Sequence, residues 1–110
     1  MDWISLEDES QLKDIIEHSA KKPQLIFKHS TRCSVSSMAK GRLTKNTLPE
    51  GVDFYYLDLL KHRDISNKIA LNFGIEHKSP QVLLIKDGKC VYTESHSGIT
   101  MEEIEEMATA

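Results

Sequence analysis

A short apolar run, Leu25-Ile26-Phe27, gives way within a few residues to the helical spacing of Val35, Met38, Ala39, Arg42 and Leu43, and Cys33 stands at the junction. A strand that turns directly into a helix is a strong constraint on fold, because it commits the chain to layers of helix packed on sheet. It also makes a cysteine chemically useful. The unpaired N–H groups and the positive dipole end of the helix favour the thiolate, and the thiolate is the species that attacks. A dithiol redox site would carry its second cysteine at position 36, where this chain has Ser36. The pattern is that of a redox site with one thiol.

The rest of the chain supplies the layers. Asp8 with Gln11 three residues on has the form of an N-cap, and Leu12, Ile15, Ile16 and Ser19 then line one helical face that closes before Pro23. Residues 25–29 form a strand of buried type, and residues 54–57 are a second β-prone run. Asp64 opens a helix whose Ile65, Ile69, Ala70 and Phe73 face inward, with Gly74 as its C-cap. After Pro80, residues 81–86 read as a strand, Asp87-Gly88 as a hairpin turn, and residues 90–94 as the antiparallel return. Thr100 with Glu103 forms a capping box for the last helix, with Ile99 stapled on Ile104. The expected order is α-β-α-β-α-β-β-α, with a right-handed crossover between the first two strands. This is an α/β chain of the thioredoxin-like type, a three-layer α/β/α sandwich on a mixed four-stranded sheet. Cys33 falls at the C-terminal end of a central strand, where open α/β sheets place their ligand sites.

Composition narrows the function classes. At 110 residues the chain is expected to form a single domain over 1–110, and 28% charged with 39% apolar residues is ordinary for a globular protein. A net charge of −3 without a basic block gives no reason to expect nucleic acid. No apolar run approaches membrane-spanning length, and Met1-Asp2-Trp3-Ile4 lacks a basic-then-apolar signal pattern. Two cysteines make a disulfide scaffold unexpected and a reduced, cytoplasmic setting the default. The histidines (His18, His29, His62, His77, His96) show no paired metal spacing, so no metal site is expected.

Thr31, Arg32, Ser34, Ser36 and Ser37 surround Cys33 with polar groups, which opposes a role for it as a small buried hydrophobe. Arg32 is either a plain surface residue or a group that stabilises the thiolate and meets an anionic substrate. Ser36 either donates a hydrogen bond to the Cys33 sulfur or caps the helix. Lys28 at a strand end reads as a solvated side chain, and His77 and His96 as exposed histidines near the active end. Ser79-Pro80, directly before a strand, is expected to be cis and to face the thiol, leaving the backbone of Ser79 free to pair with an extended substrate. Cys90 is the other cysteine. Strand arithmetic at about 3.3 Å per residue puts it on the order of 17–20 Å from the thiol end, against the roughly 7 Å that a disulfide allows. It reads as a sheet residue.

Three segments, KHS-x-x-C at Lys28 to Cys33, H-x-SPQ at His77 to Gln81 and SH-x-x-IT at Ser95 to Thr100, together resemble the monothiol bacilliredoxins, thioredoxin-like proteins of the bacillithiol redox system. The resemblance spans nearly the whole chain. With Thr31, Arg32, Ser36, Ser79 and Pro80 as the expected substrate contacts, it implies that Cys33 attacks the mixed disulfide between a protein thiol and bacillithiol and that Ser79-Pro80 is the family's cis-proline element. It implies S-thiolated proteins and a low-molecular-weight thiol as partners, the small thiol as co-substrate, no bound cofactor, and a monomer. Ser34 departs from the proline that usually follows the cysteine. Phe27 stands where thioredoxins carry a buried acid that assists a second thiol, in keeping with a one-thiol mechanism. Two other classes compete: a thioredoxin-like module that holds peptides without turnover, and a monothiol iron–sulfur carrier. The carrier ranks lower because no glycine follows Cys33.

Overall fold

The structure is a computed structural model and describes residues 3–30, 34–44 and 51–109. In chain order the elements are β1 (Ile4–Ser5), α1 (Ser10–His18), β2 (Gln24–His29), α2 (Ser34–Thr44), β3 (Asp53–Asp58), α3 (Arg63–Phe73), β4 (Gln81–Lys86), β5 (Lys89–Ser95), a single 3-10 turn (His96–Gly98) and α4 (Met101–Thr109). The sheet runs β1-β3-β2-β4-β5. β2 is parallel to β3 and antiparallel to β4, so the sheet is mixed.

The sheet has five strands where the sequence predicts four. The extra one, β1, pairs in parallel with β3 through Ile4 opposite Tyr55 and Ser5 opposite Tyr56. Two residues are too few to show a strand period, which needs about four, so this strand exists only through its partner. Leu6 continues the contact, donating its N–H to Tyr56 O at 2.8 Å.

Strand alternation divides the interior in two. Leu25 and Phe27 of β2 join Phe54, Val82 and Leu84 beneath α2 and α4, where Ala39, Leu43 and Ile104 are fully buried. Ile26 joins Tyr55, Leu57, Leu83 and Ile85 beneath α1 and α3, against Leu12, Ile15, Ile65 and Ile69. The helices therefore cover both faces, and every residue of β2 is buried.

Two side chains expected to face inward do not. Ile16 on α1 is half-open, and Met38 on α2 is 64% exposed. In each helix the pair that reaches the sheet is spaced by three or four residues, Leu12 with Ile15 and Ala39 with Leu43, and the neighbour one position along the stripe is turned out.

The helix ends follow local chemistry. The N-cap of α1 falls on Glu9, one residue past the expected Asp8, and its side chain makes no cap; Asp8 Oδ1 accepts the Ser10 N–H at 3.0 Å while Gln11 Oε1 accepts the Asp8 N–H at 2.9 Å. Gly74 ends α3 at φ +63°, a left-handed conformation that glycine adopts without a side-chain penalty. At the β4–β5 turn Asp87 and Gly88 both have positive φ, as a two-residue hairpin requires. Ser19 O accepts the Asp87 N–H at 2.9 Å and Ser19 Oγ the Gly88 N–H at 2.8 Å, pinning that turn to the end of α1. Thr100 Oγ1 accepts the Glu103 N–H at 3.3 Å, while the Glu103 carboxylate turns to the Tyr92 hydroxyl at 3.1 Å. None of the helices among the described residues is long and apolar enough to cross a membrane.

Candidate active site

Antiparallel pairing of β2 with β4 sets the geometry of the site. Lys28 lies opposite Gln81, so the end at which β2 passes toward α2 is also the end at which β4 begins. The residue just ahead of β4 is Pro80, and the Ser79–Pro80 peptide bond is cis. Pro80 is buried and Ser79 half-buried, with the Ser79 hydroxyl shielded from solvent and without a hydrogen-bond partner among the described residues. Cys33, Thr31 and Arg32 lie outside the described residues. Ser36 is in the first turn of α2, and its side chain is likewise outside the description.

A third loop closes on the same edge. Pro80 O accepts the His96 N–H at 3.1 Å. The His96 carbonyl accepts from Arg42 Nη2 at 3.3 Å, and Ile99 O from Arg42 Nε at 3.3 Å. Arg42 of α2 thus holds the turn after β5, which in turn holds the cis-proline. His96 makes these bonds at φ +55°. Left-handed backbone is strained for a side-chain-bearing residue, and such strain concentrates at working sites. The histidine side chain itself is exposed.

Lys28 is the residue that sequence reasoning misplaced. It is not solvated but wholly buried, at 0% exposure. Its Nζ donates to Ser66 O of α3 at 3.3 Å and lies 3.3 Å from His77 Nδ1. Burial pulls its pKa down from 10.5 to about 8. The signal was present in the sequence: a strand covered on both faces and paired on both edges leaves no exposed position, for lysine or any other residue. His77 is exposed as expected, yet its Nδ1 turns inward to Lys28 and to Ser66 Oγ, 3.3 Å away. Burial of that edge of the ring, then the Lys28 and Arg63 charges, lower its pKa.

On the opposite face of β2, Phe27 is buried among Trp3, His29 and Tyr56, with ring centroids 5.8–6.2 Å away. His29 is therefore an interior ring, 2% exposed. An apolar hollow of about 210 Å³ opens beside Phe27, with Lys40 Nζ over the Tyr56 ring at 5.1 Å from its centroid. A more polar groove of about 260 Å³ runs past Lys78, Gln81 and Ser95, along the start of β4.

Cys90 sits opposite Ile85 at the hairpin end of the β4–β5 pair, whereas Gln81 and Ser95 mark the cis-proline end. Its thiol is free and half-buried, 3.3 Å from Tyr92 O, and burial pushes its pKa up. That is the setting of a packed thiol that stays protonated. Among the described residues there is no cluster of histidine, cysteine or carboxylate side chains able to hold a metal ion.

Solved structures share this fold. A candidate oxidoreductase with a thioredoxin fold superposes with a TM-score of 0.83 at 28% identity, over 96% of this chain and 92% of that one. Malassezia sympodialis thioredoxin gives 0.73 at 15% identity, over 97% and 88% of the two chains. Fasciola hepatica thioredoxin gives 0.72 at 17% identity, over 96% of each. The two thioredoxins establish the fold. The family description of the monothiol bacilliredoxin BrxC matches residues 4–104, and this chain belongs to that family.

Proposed function

We propose that this protein is a monothiol thiol–disulfide oxidoreductase that removes bacillithiol, or a similar small thiol, from protein mixed disulfides, with Cys33 as the nucleophile. The observation that carries this reading is family membership in a chain whose position 36 is serine and whose other cysteine is packed at the far end of the sheet. In the first step the Cys33 thiolate attacks the bacillithiol sulfur of the mixed disulfide. A new Cys33–bacillithiol disulfide forms, the old S–S bond breaks, and the protein substrate leaves as a thiolate that takes a proton from water. In the second step the thiolate of another bacillithiol attacks that adduct, giving bacillithiol disulfide and free Cys33. Each turnover consumes one reduced bacillithiol, releases bacillithiol disulfide and regenerates the Cys33 thiolate, so no bound cofactor takes part.

The start of α2 directly after Cys33 in the chain supports a lowered thiol pKa, with Arg32 as a second contribution. The cis Ser79–Pro80 edge supports binding of an extended substrate backbone at Ser79, with Thr31, Arg32 and Ser36 completing the contacts. The protein partners are then S-thiolated proteins in a reducing, cytoplasmic setting, met by a monomer.

Ser36 bears on which disulfides can be turned over. Its hydroxyl is far less acidic than a thiol, and Phe27 offers no base. Attack on a disulfide between two protein thiols therefore stalls as a covalent complex, whereas attack on a bacillithiol adduct leaves only a small group for a second small thiol to remove. Intact mass spectrometry of the protein exposed to bacillithiol disulfide tests the reading. One adduct is expected on Cys33, absent from Cys33→Ser, together with catalytic release of a bacillithiolated protein when reduced bacillithiol is supplied. Efficient reduction of insulin without any small thiol would refute it.

A further inference from the structure

We propose that Lys28 is a positioning residue for this reaction: through His77 it fixes the segment that leads into Ser79–Pro80. The inference deepens the function proposed above and rests on it for the choice of substrate.

The segment between α3 and β4 has no helix or strand of its own, and side chains of Gln81, Lys28 and Ser66 hold it. Gln81, buried at the start of β4, donates its Nε2 to Glu76 O at 2.9 Å and accepts the Lys78 N–H on Oε1 at 3.3 Å. Those bonds grip the backbone on either side of His77. The ring of His77 is gripped from within by Lys28, whose Nζ is 3.3 Å from Nδ1 and is itself anchored by Ser66 O at 3.3 Å. Two residues beyond His77 is Ser79, the residue ahead of the cis-proline. Lys28 and Gln81 are cross-strand partners, so both grips start from one rung of the sheet.

A lysine is a poor choice for packing alone. It is fully buried, and an ammonium group loses its hydration there, whereas methionine would fill the same channel without a charge. What lysine supplies, and methionine cannot, is a charged donor aimed at Nδ1, beside the Ser66 hydroxyl at the same 3.3 Å. Among the described residues that the pair touches or faces across the sheet, none brings an opposing charge. Ser66 of α3, Leu57 of β3 and Gln81 of β4 are neutral neighbours, and Arg63 adds a further positive field at His77. The contact therefore needs a neutral imidazole to accept from the amine. Protonation of His77 makes both partners donors of like charge, and the grip is lost. His77 resists that protonation, because burial and the two cations lower its pKa, which keeps the segment held at neutral pH.

Two variants separate positioning from a merely structural role. Lys28→Met keeps the interior filled and removes the ammonium donor, leaving the Ser66 hydroxyl at Nδ1. It is expected to raise KM for a bacillithiolated protein severalfold while kcat changes little. His77→Gln keeps an acceptor, the amide oxygen, but cannot titrate. It is expected to hold the wild-type KM at neutral pH and to abolish the rise in KM that the wild type shows as pH falls below about 6.5. The second readout needs no turnover: the His77 ring, followed by NMR, titrates below the ordinary histidine value in the wild type and moves back toward it in Lys28→Met. An unmoved His77 titration in Lys28→Met would overturn the pairing. A fall in kcat with KM unchanged would overturn the positioning role. Absence of any activity on thiolated proteins, with the ring titration as expected, would count against the proposed reaction and leave the pairing standing.

Discussion

Phe27 and Lys28 are neighbours on one strand, both are buried, and they face opposite layers of the molecule. The Phe27 face is aromatic and apolar, with Trp3, Phe54 and Tyr56 around it. The Lys28 face is apolar over Ile26 but polar at both ends of the strand, where Gln24 and Lys28 are each 0% exposed. One face stabilises by excluding water. The other carries the cost of buried polar groups and in return holds particular atoms in particular places. The difference predicts that deletions on the two faces move stability in opposite directions.

The largest effect is expected on the aromatic face. Phe27→Ala removes a ring that is 1% exposed and leaves a void between α2 and the sheet, beside an existing hollow. A loss of about 3–5 kcal/mol follows from the usual cost of truncating a buried phenylalanine, read by urea denaturation with the slope unchanged. A loss below about 1 kcal/mol would mean that Trp3 and Tyr56 collapse into the space, and that this face is more plastic than its packing suggests.

On the other face Lys28→Met is expected to stabilise, and the gain depends on pH. The folded-state pKa of Lys28 is lowered, from 10.5 to about 8, so the unfolded chain binds the proton more tightly. The penalty on the native state is fully present below about pH 8 and is relieved as pH rises toward the unfolded value. The shift corresponds to a gain on the order of 3 kcal/mol at pH 7, less the hydrogen bonds to Ser66 and His77 that the variant gives up. Denaturation curves at pH 7 and about pH 10 should show the variant's advantage shrinking at the higher pH. An advantage that is constant across pH would mean that Lys28 carries the same proton in both states.

Much of this organisation is legible in the chain. Helices show through Leu12 with Ile15 and Ile65 with Ile69, the hairpin through Asp87-Gly88, and the cis bond through the placement of Ser79-Pro80 ahead of a strand. What stayed hidden depends on partners far away in sequence. β1 is a strand only because β3 offers it an edge. Ile16 and Met38 satisfy the helical period yet miss the sheet, because the period fixes a stripe and not which side of the stripe makes contact. Lys28 is read as solvated if its residue type is weighed alone, and as buried once its strand is known to be central. α2, the turn after β5 and Pro80 are tied together by Arg42 and by the His96 backbone, contacts that no spacing rule encodes.

The smallest expected effect lies at the other polar end of the Lys28 face. Gln24, fully buried, donates from Nε2 to Asp53 Oδ2 at 2.8 Å, and Asp53 Oδ1 pairs with Lys22 at 2.9 Å. Burial alone would raise the Asp53 pKa, but the bonds from Gln24 and Lys22 outweigh it and hold the carboxyl below its usual value. The sign is then opposite to that of Lys28. The folded state favours the charged carboxylate, so its contribution is present above the unfolded pKa of 3.8 and fades as pH falls through the folded value. Asp53 is 28% and Lys22 44% exposed in the side chain, so solvent screens the pair, and its worth is about 0.2–1 kcal/mol. Asp53→Asn keeps an acceptor for Gln24 and removes only the charge. It should cost less than about 1 kcal/mol at pH 7, and the cost should shrink as pH falls below the unfolded carboxyl value, as read by thermal melts at neutral pH and at about pH 3. A cost several times larger would show that the buried amide of Gln24 depends on the carboxylate charge, and that this end of β2 is held as tightly as the Lys28 end.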